Sequence, residues 1–284
     1  MYDRLLVPVD GTSGATRAVE YGLSLARATG AAVDLLFVVD DRLDDLVETD
    51  EGKALLERSE KAGRRATAEI AEREPDLEVE RTVRHGRPFE EILAHAEDRD
   101  VDLCVLGGGR ETERDLGSTA ERVVTLSGFP VITVPDSEEV ESASLETLED
   151  VLVATDGSAP AERAATEALG FAERFGATLH AVYVVDTTVY DLEDAPRSIV
   201  GLLRQGGENV VGEITAEAKS VNVPVSGQVL RGRPADEIRE YAEGVDAGLI
   251  ALGTRGRGGL PERLLGSTTR RTVRDADRPV LSVA

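Results

Sequence analysis

Cysteine is nearly absent from this chain. Cys104 is the single one in 284 residues, which excludes an intrachain disulfide and any cysteine-cluster metal site. It lies within the apolar run Val101–Leu106 and reads as a small core residue. Aromatic residues make up only 4% of the chain and tryptophan is missing. Hydrophobic content is still 41%, too high for a disordered chain. No apolar run approaches the roughly 20 residues that a membrane-spanning helix needs. The opening Met-Tyr-Asp-Arg-Leu-Leu-Val enters a strand at once, without a signal-peptide pattern. A soluble cytoplasmic protein is the expectation. Lysine is scarce too: Lys53, Lys61 and Lys219 stand among 32 basic residues, against 55 acidic ones and a net charge of −23. Nucleic acid needs clustered basic residues, so that partner is excluded, and so are anionic membrane surfaces. Abundant carboxylates with little lysine resemble proteins that work in molar salt. There a Debye length of about 3 Å screens their self-repulsion, so the acidity is read as a halophilic habitat and not as a binding surface. Signatures of catalysis are missing as well. There is no Gly-x4-Gly-Lys-Ser/Thr loop and no Gly-x-Ser-x-Gly elbow. His85, His95 and His180 show no metal-ligand spacing, so structural roles are expected for them, with no metal site and no catalytic residue.

What is present is a repeat. Val-Pro-Val-Asp10-Gly11-Thr matches Val-Ala-Thr-Asp156-Gly157-Ser at a shift of 146. Phe37-Val-Val-Asp40 matches Tyr183-Val-Val-Asp186, Gly86-Arg-Pro88 matches Gly232-Arg-Pro234, and Leu106-Gly107 matches Leu252-Gly253, all at the same shift. The shift then becomes 149, for Leu116-Gly117-Ser118-Thr119 against Leu265-Gly266-Ser267-Thr268 and Pro130-Val131 against Pro279-Val280. One domain has been duplicated, and the first copy lacks three residues in a single loop. A period this long means tandem domains, since solenoid repeats are much shorter. The expected boundaries are 1–136 for the first domain and 150–284 for the second. The acidic stretch 137–149 joins them as a solvated linker.

Each half alternates five apolar runs with four amphipathic stretches. The strand candidates are Arg4–Val9, Ala32–Val39, Leu77–Arg84, Val101–Leu106 and Val131–Val134, then Val151–Thr155, Thr178–Val185, Val223–Leu230, Gly248–Leu252 and Val280–Val283. They lack clean alternation, as parallel strands covered on both faces do. Ala164, Ala168, Phe171, Ala172 and Phe175 recur on one helix face. Ser158 is placed to cap that helix and Gly176 to stop it. Longer helices fall at 51–73 and 197–220, and Pro88 and Pro234 open third helices. The fold class is α/β: two similar open, parallel, five-stranded sheets flanked by helices, Rossmann-like in architecture.

The most informative stretch is Gly253-Thr-Arg255-Gly256, followed by Gly266-Ser267-Thr268. Glycines let a ligand approach backbone amides closely. Gly266, Ser267 and Thr268 sit where a helix begins, so free N–H groups and the positive dipole end suit phosphate oxygens. The spacing Gly-x2-Gly-x9-Gly-Ser closely resembles the nucleotide loop of the universal stress protein family, in its ATP-binding branch. The resemblance covers nearly the whole chain except the linker. It implies an adenine nucleotide alpha hydrolase-like fold with strand order 3-2-1-4-5. It implies that Thr155 and Asp156 face adenine and ribose, that Val184 lines the adenine pocket, and that Gly253, Gly256, Gly266, Ser267 and Thr268 hold ribose and phosphates. The cofactor would be ATP, with Mg²⁺ as its companion. The residues agree: Asp156 is an acceptor suited to an amino group or hydroxyl, and Arg255 and Arg257 either offset phosphate charge or are plain surface charges, since spacing does not give their aim. Read alone, Asp156-Gly157-Ser158 is a turn and a cap; only the whole set points to a nucleotide.

The first half keeps Asp10, Val38, Gly107 and Gly117-Ser118-Thr119. The place of Gly256 is taken by Arg110, or by Gly109 if the gap falls earlier. Glu111, Glu113 and Asp115 put three carboxylates where phosphate would lie. The expectation is a nucleotide-binding regulatory or stress-response protein that uses mainly its second domain, with no enzymatic activity beyond slow ATP hydrolysis. Two alternatives stand beside it: an interaction scaffold of the same fold without nucleotide, and a true ATP-consuming enzyme. The family commonly pairs domains through their last strands. Val131–Val134 and Val280–Val283 would then make each chain an intrachain pseudo-dimer, open to further homo-oligomer assembly, with its client protein unknown.

Overall fold

The computed structural model describes residues 2–40, 50–108, 117–137, 145, 148–188, 197–256 and 264–284. The chain divides into two compact units, Met1–Glu138 and Glu139–Ala284. The first contains β1 (Arg4–Val9), α1 (Ser13–Thr29), β2 (Ala32–Asp40), α2 (Asp50–Arg73), β3 (Val79–Gly86), α3 (Pro88–Asp98), β4 (Leu103–Gly107), α4 (Ser118–Leu126) and β5 (Val131–Val134). The second repeats the series as β6 (Asp150–Thr155), α5 (Ala159–Phe175), β7 (Thr178–Asp186), α6 (Arg197–Ser220), β8 (Val225–Gly232), α7 (Pro234–Gly244), β9 (Leu249–Gly253), α8 (Ser267–Asp275) and β10 (Val280–Val283).

Within the first unit the strand order is β3-β2-β1-β4-β5, and within the second β8-β7-β6-β9-β10, with parallel neighbours throughout. Central strands are buried on both faces: Leu5, Leu6 and Val7 in succession, then Val151, Leu152 and Val153. That continuous burial explains runs without alternation. α1 packs on β1 and β4, α2 on β2 and β3, and α3 against α4; the second unit follows the same plan. In α5 the expected face is the buried one, with Ala164, Ala168, Phe171 and Ala172 in the core. Gly30 and Gly176 take the left-handed conformation, φ 78° and 71°, and stop α1 and α5, where glycine has no Cβ penalty. In the stretch expected as a solvated linker, Leu145 and Leu148 are buried. The Leu148 side chain fills the space left by the missing Cβ of Gly248.

At the amino-terminal ends of the strands each unit buries a polar cluster, and the two clusters have opposite polarity. In the first, Asp34 of β2 accepts from Arg4 Nη1 at 2.7 Å and Arg99 Nε at 3.2 Å, and His95 Nε2 lies 3.0 Å away. At a shift of 146 the positions of Asp34, Arg4, Arg99 and His95 hold His180, Asp150, Val245 and Tyr241. His180 Nε2 lies 2.7 Å from Asp150 Oδ1, and its Nδ1 lies 3.1 Å from the Tyr241 hydroxyl. The partners of His95 and His180 are thus structural. Burial pushes the Asp34 carboxyl up, but hydrogen bonds from His95 and Arg4 and the charges of Arg4 and Arg99 outweigh it and hold it below the ordinary carboxylate value. Its stabilisation is therefore complete above about pH 4 and disappears as pH falls through the depressed value. Denaturant unfolding of Asp34→Asn should show a loss of about 3 kcal/mol at neutral pH. The gap to wild type should close in acid, below pH 4.

Candidate functional site at the carboxyl ends of β6 and β9

The strand order reverses between β6 and β9. The crevice beyond their carboxyl ends is where open α/β sheets bind ligands. β6 delivers Thr155 and Asp156, and Gly157 at φ 73° turns the chain into α5. Thr155 Oγ1 accepts from the Gly157 N–H at 3.1 Å, and Asp156 Oδ1 from the Ser158 N–H at 2.9 Å. The other oxygen, Oδ2, meets the loop after β9: a Cβ on Gly256 would lie 2.5 Å from it. Asp156 and Gly256 are thus brought together. Val184 is half-buried near the end of β7, beside Leu230 of β8.

β9 ends at Gly253. A Cβ there would stand 2.7 Å from Ala161 N and 2.8 Å from Pro160 C. Backbone cannot move aside, so this glycine is demanded by the close approach of β9 to the first turn of α5. Gly266 caps α8 with extended backbone, φ −58° and ψ 143°. Ser267 is exposed and Thr268 half-buried in the first turn of α8. That turn contains no acidic residue, and its N–H groups have no intrahelical partners.

The ends of the loop are fastened from several sides. The Thr254 N–H donates to Val283 O at 2.7 Å, and the Gly266 N–H to Thr254 O at 2.9 Å. Two hydroxyls add to these: Ser158 Oγ donates to Arg255 O at 3.2 Å, and Thr269 Oγ1 to Gly253 O at 2.7 Å. Ser158 occupies the cap position of α5 as its sequence context implies, but its side chain makes no cap hydrogen bond, because it is engaged by the loop. The buried Thr254 Oγ1 has no hydrogen-bond partner among the described residues.

The first unit shows what the shorter copy lost. The Gly108 N–H donates to Val134 O at 2.9 Å and the Gly117 N–H to Gly108 O at 3.1 Å, the same two backbone bonds. Gly108 therefore stands in the place of Thr254. Eight residues, 109–116, separate the anchors against eleven, 255–265, so the deletion falls wholly between them. Neither hydroxyl fastening has a counterpart among the described residues. Thr12 replaces Ser158, but its Oγ1 donates to Asp10 Oδ1 at 2.7 Å and accepts from the Ala15 N–H at 3.2 Å. Ala120 replaces Thr269, and Glu121 stands where α8 has Arg270. Arg257, the carboxylates Glu111, Glu113 and Asp115, and most of 41–51 and 187–198 lie outside the described residues.

A model of the universal stress protein family matches residues 1–135 and again 147–284. The chain belongs to the universal stress protein family. A universal stress protein of Methanocaldococcus jannaschii is 36% identical over 136 residues, 47% of this chain and 80% of that one. One of Mycobacterium tuberculosis is 30% identical over 191 residues, covering 64% of this chain. The match spans 61% of the length of that mycobacterial relative. The crystal structure of a universal stress protein from Archaeoglobus fulgidus superposes with a TM-score of 0.71 at 24% identity, over 99% of this chain and 95% of that one. The fold is common to both.

Of the residues expected at the site, Thr155, Asp156, Gly253, Arg255, Gly256 and Gly266 are joined by the contacts above, while Ser267 and Thr268 open α8. Sequence reasoning missed Ser158, Thr269 and Thr254 as parts of the loop. The signal for Thr269 was its replacement by Ala120 in the shorter copy. The two loop glycines should differ in stability measurements. Gly253→Ala, which presses on backbone, should cost about 1–3 kcal/mol. Gly256→Ala, which among the described residues meets a movable carboxylate and no backbone, should cost less than half as much.

Proposed function

We propose that the second unit binds an adenine nucleotide, ATP with Mg²⁺ on its phosphates, and that the chain is a cytoplasmic regulatory member of its family, not an enzyme. One observation carries this reading: of two copies of the same loop, only the second keeps its full length and its hydroxyl fastenings. Asp156 would take an adenine amino group or a ribose hydroxyl through its carboxylate. Thr155 and Val184 would border the base. The amides of Gly266, Ser267 and Thr268 would receive phosphate oxygens at the start of α8, with Arg255 and Arg270 offsetting their charge. Gly256 leaves room beside Asp156. The unpartnered Thr254 hydroxyl fits a site that awaits a polar ligand, since buried hydroxyls are normally paired. Gly253 fits less directly, because packing alone accounts for it.

The first unit lacks features that favour phosphate: three loop residues, the equivalents of Thr254 and Thr269, and an uncharged or basic residue at the position of Glu121. It serves as a structural partner in this reading. Calorimetric titration with ATP·Mg²⁺ at about 2 M KCl, where surface charges are screened, should give one site per chain. Gly266→Asp, which sets a carboxylate among the phosphate-binding amides, should abolish it, and Asp156→Ala should weaken it at least tenfold. Two sites, with the second lost on Asp10→Ala, would refute the asymmetry. No binding at all would leave the scaffold reading.

The net charge of −23 is read as an adaptation to high salt. The melting temperature should therefore rise between about 0.1 and 2 M KCl as self-repulsion is screened. A flat or falling curve would mean that the acidity has another origin.

A further inference from the structure

β3 and β8 occupy equivalent outer positions in their sheets, yet they present different edges. β3 carries Glu80, Arg81, Arg84 and His85. Charged side chains on an edge strand hinder pairing with a further strand. β8 reads Val-Ser-Gly-Gln-Val-Leu-Arg-Gly and has no charge from Val225 to Leu230, in a chain of which 31% is charged. Gly227 stands where β3 has Arg81, and both Gly227 and Gln228 are exposed.

A groove of about 560 Å³ lies between this strand and α6. Its β8 wall is made of Gly227, Gln228 and Val229 in succession. Successive strand side chains point to opposite faces, so a wall of consecutive residues follows the main-chain edge itself. On the α6 side Gly212 leaves the groove open; nothing lies within 4 Å of where its Cβ would be. Arg204 at one end is paired with Glu208 at 2.9 Å. Lys219 lines the groove, is exposed, and has no ion pair among the described residues.

We propose that the edge of β8 is a strand-addition site for an extended segment of a partner protein that carries a carboxylate. The segment adds its main chain to β8, as extended peptides do on open sheet edges, and sets the carboxylate against Lys219. The groove falls within the size range of ligand pockets, and its three-residue wall accommodates a short segment. The competing occupant is a second copy of the chain, which would pair two β8 edges without setting a carboxylate against Lys219.

The test is fluorescence anisotropy of the full chain with a labelled hexapeptide of alternating valine and glutamate. Two controls accompany it: the same peptide with lysine for glutamate, and one with alternate main-chain amides N-methylated. The glutamate peptide should bind and both controls should fail. Lys219→Glu should weaken binding by up to about fivefold, the scale of one exposed ion pair. Gly212→Gln should block the groove while leaving the melting temperature unchanged or higher, since glycine is unfavourable inside a helix. Failure of the glutamate peptide to bind, or equal binding to Gly212→Gln, overturns the proposal. So does a concentration-dependent dimer in sedimentation that Gly212→Gln dissolves, which would assign the edge to a second copy.

Discussion

Two main-chain hydrogen bonds govern the crevice in each unit: one ties the residue after the fourth strand to the end of the fifth, and the other ties the helix-capping glycine back to that residue. In the second unit they run from Thr254 to Val283 and from Gly266 to Thr254, and in the first from Gly108 to Val134 and from Gly117 to Gly108. Because both survive a three-residue deletion, the strand ends and the start of the helix keep their places while the loop between them changes. The scaffold is held by backbone, which substitution leaves alone, and the specific chemistry is left to side chains.

Those side chains divide the two copies. Ser158 and Thr12 share a position, but the first binds the loop and the second caps its own helix and holds Asp10. A hydroxyl can donate only one hydrogen, so a residue that donates to its neighbouring carboxylate cannot also tether a distant carbonyl. The turn around Asp10 is correspondingly exposed, whereas Asp156, Gly157 and Ser158 are partly or fully covered. Local satisfaction in one copy and long-range satisfaction in the other come from nearly the same residues.

Much of the architecture was legible in the sequence because duplication doubles every signal. Strand cores such as Arg4–Val9 and Val280–Val283 agree with the observed elements to the residue. Strand starts were less legible: β3, β4 and β8 begin two residues later than their apolar patterns, since an apolar run continues into the residues that lead into a strand. The site's backbone was readable from glycine spacing, though the reason for Gly253 was not. Spacing cannot distinguish a glycine that admits a ligand from one that admits a neighbouring helix. Leu145 and Leu148 were lost in an acidic surrounding, where two leucines do not make a pattern although both are buried.

The reversed polarity of the two buried clusters bears on how so repetitive a chain avoids confusing its own halves. Similar tandem domains are prone to exchange equivalent strands while folding. Were β6 to settle beside β2, Asp150 would take the place of Arg4 against Asp34, which would keep only His95 and Arg99 as partners. Were β1 to settle beside β7, Arg4 would face His180 with no anion to answer it. Each erroneous partnership meets like charge, or a cation without a counterion, against the buried Asp34 or His180, and only the legitimate one finds its complement. The duplicated gene thus carries a lock whose two keys are not interchangeable.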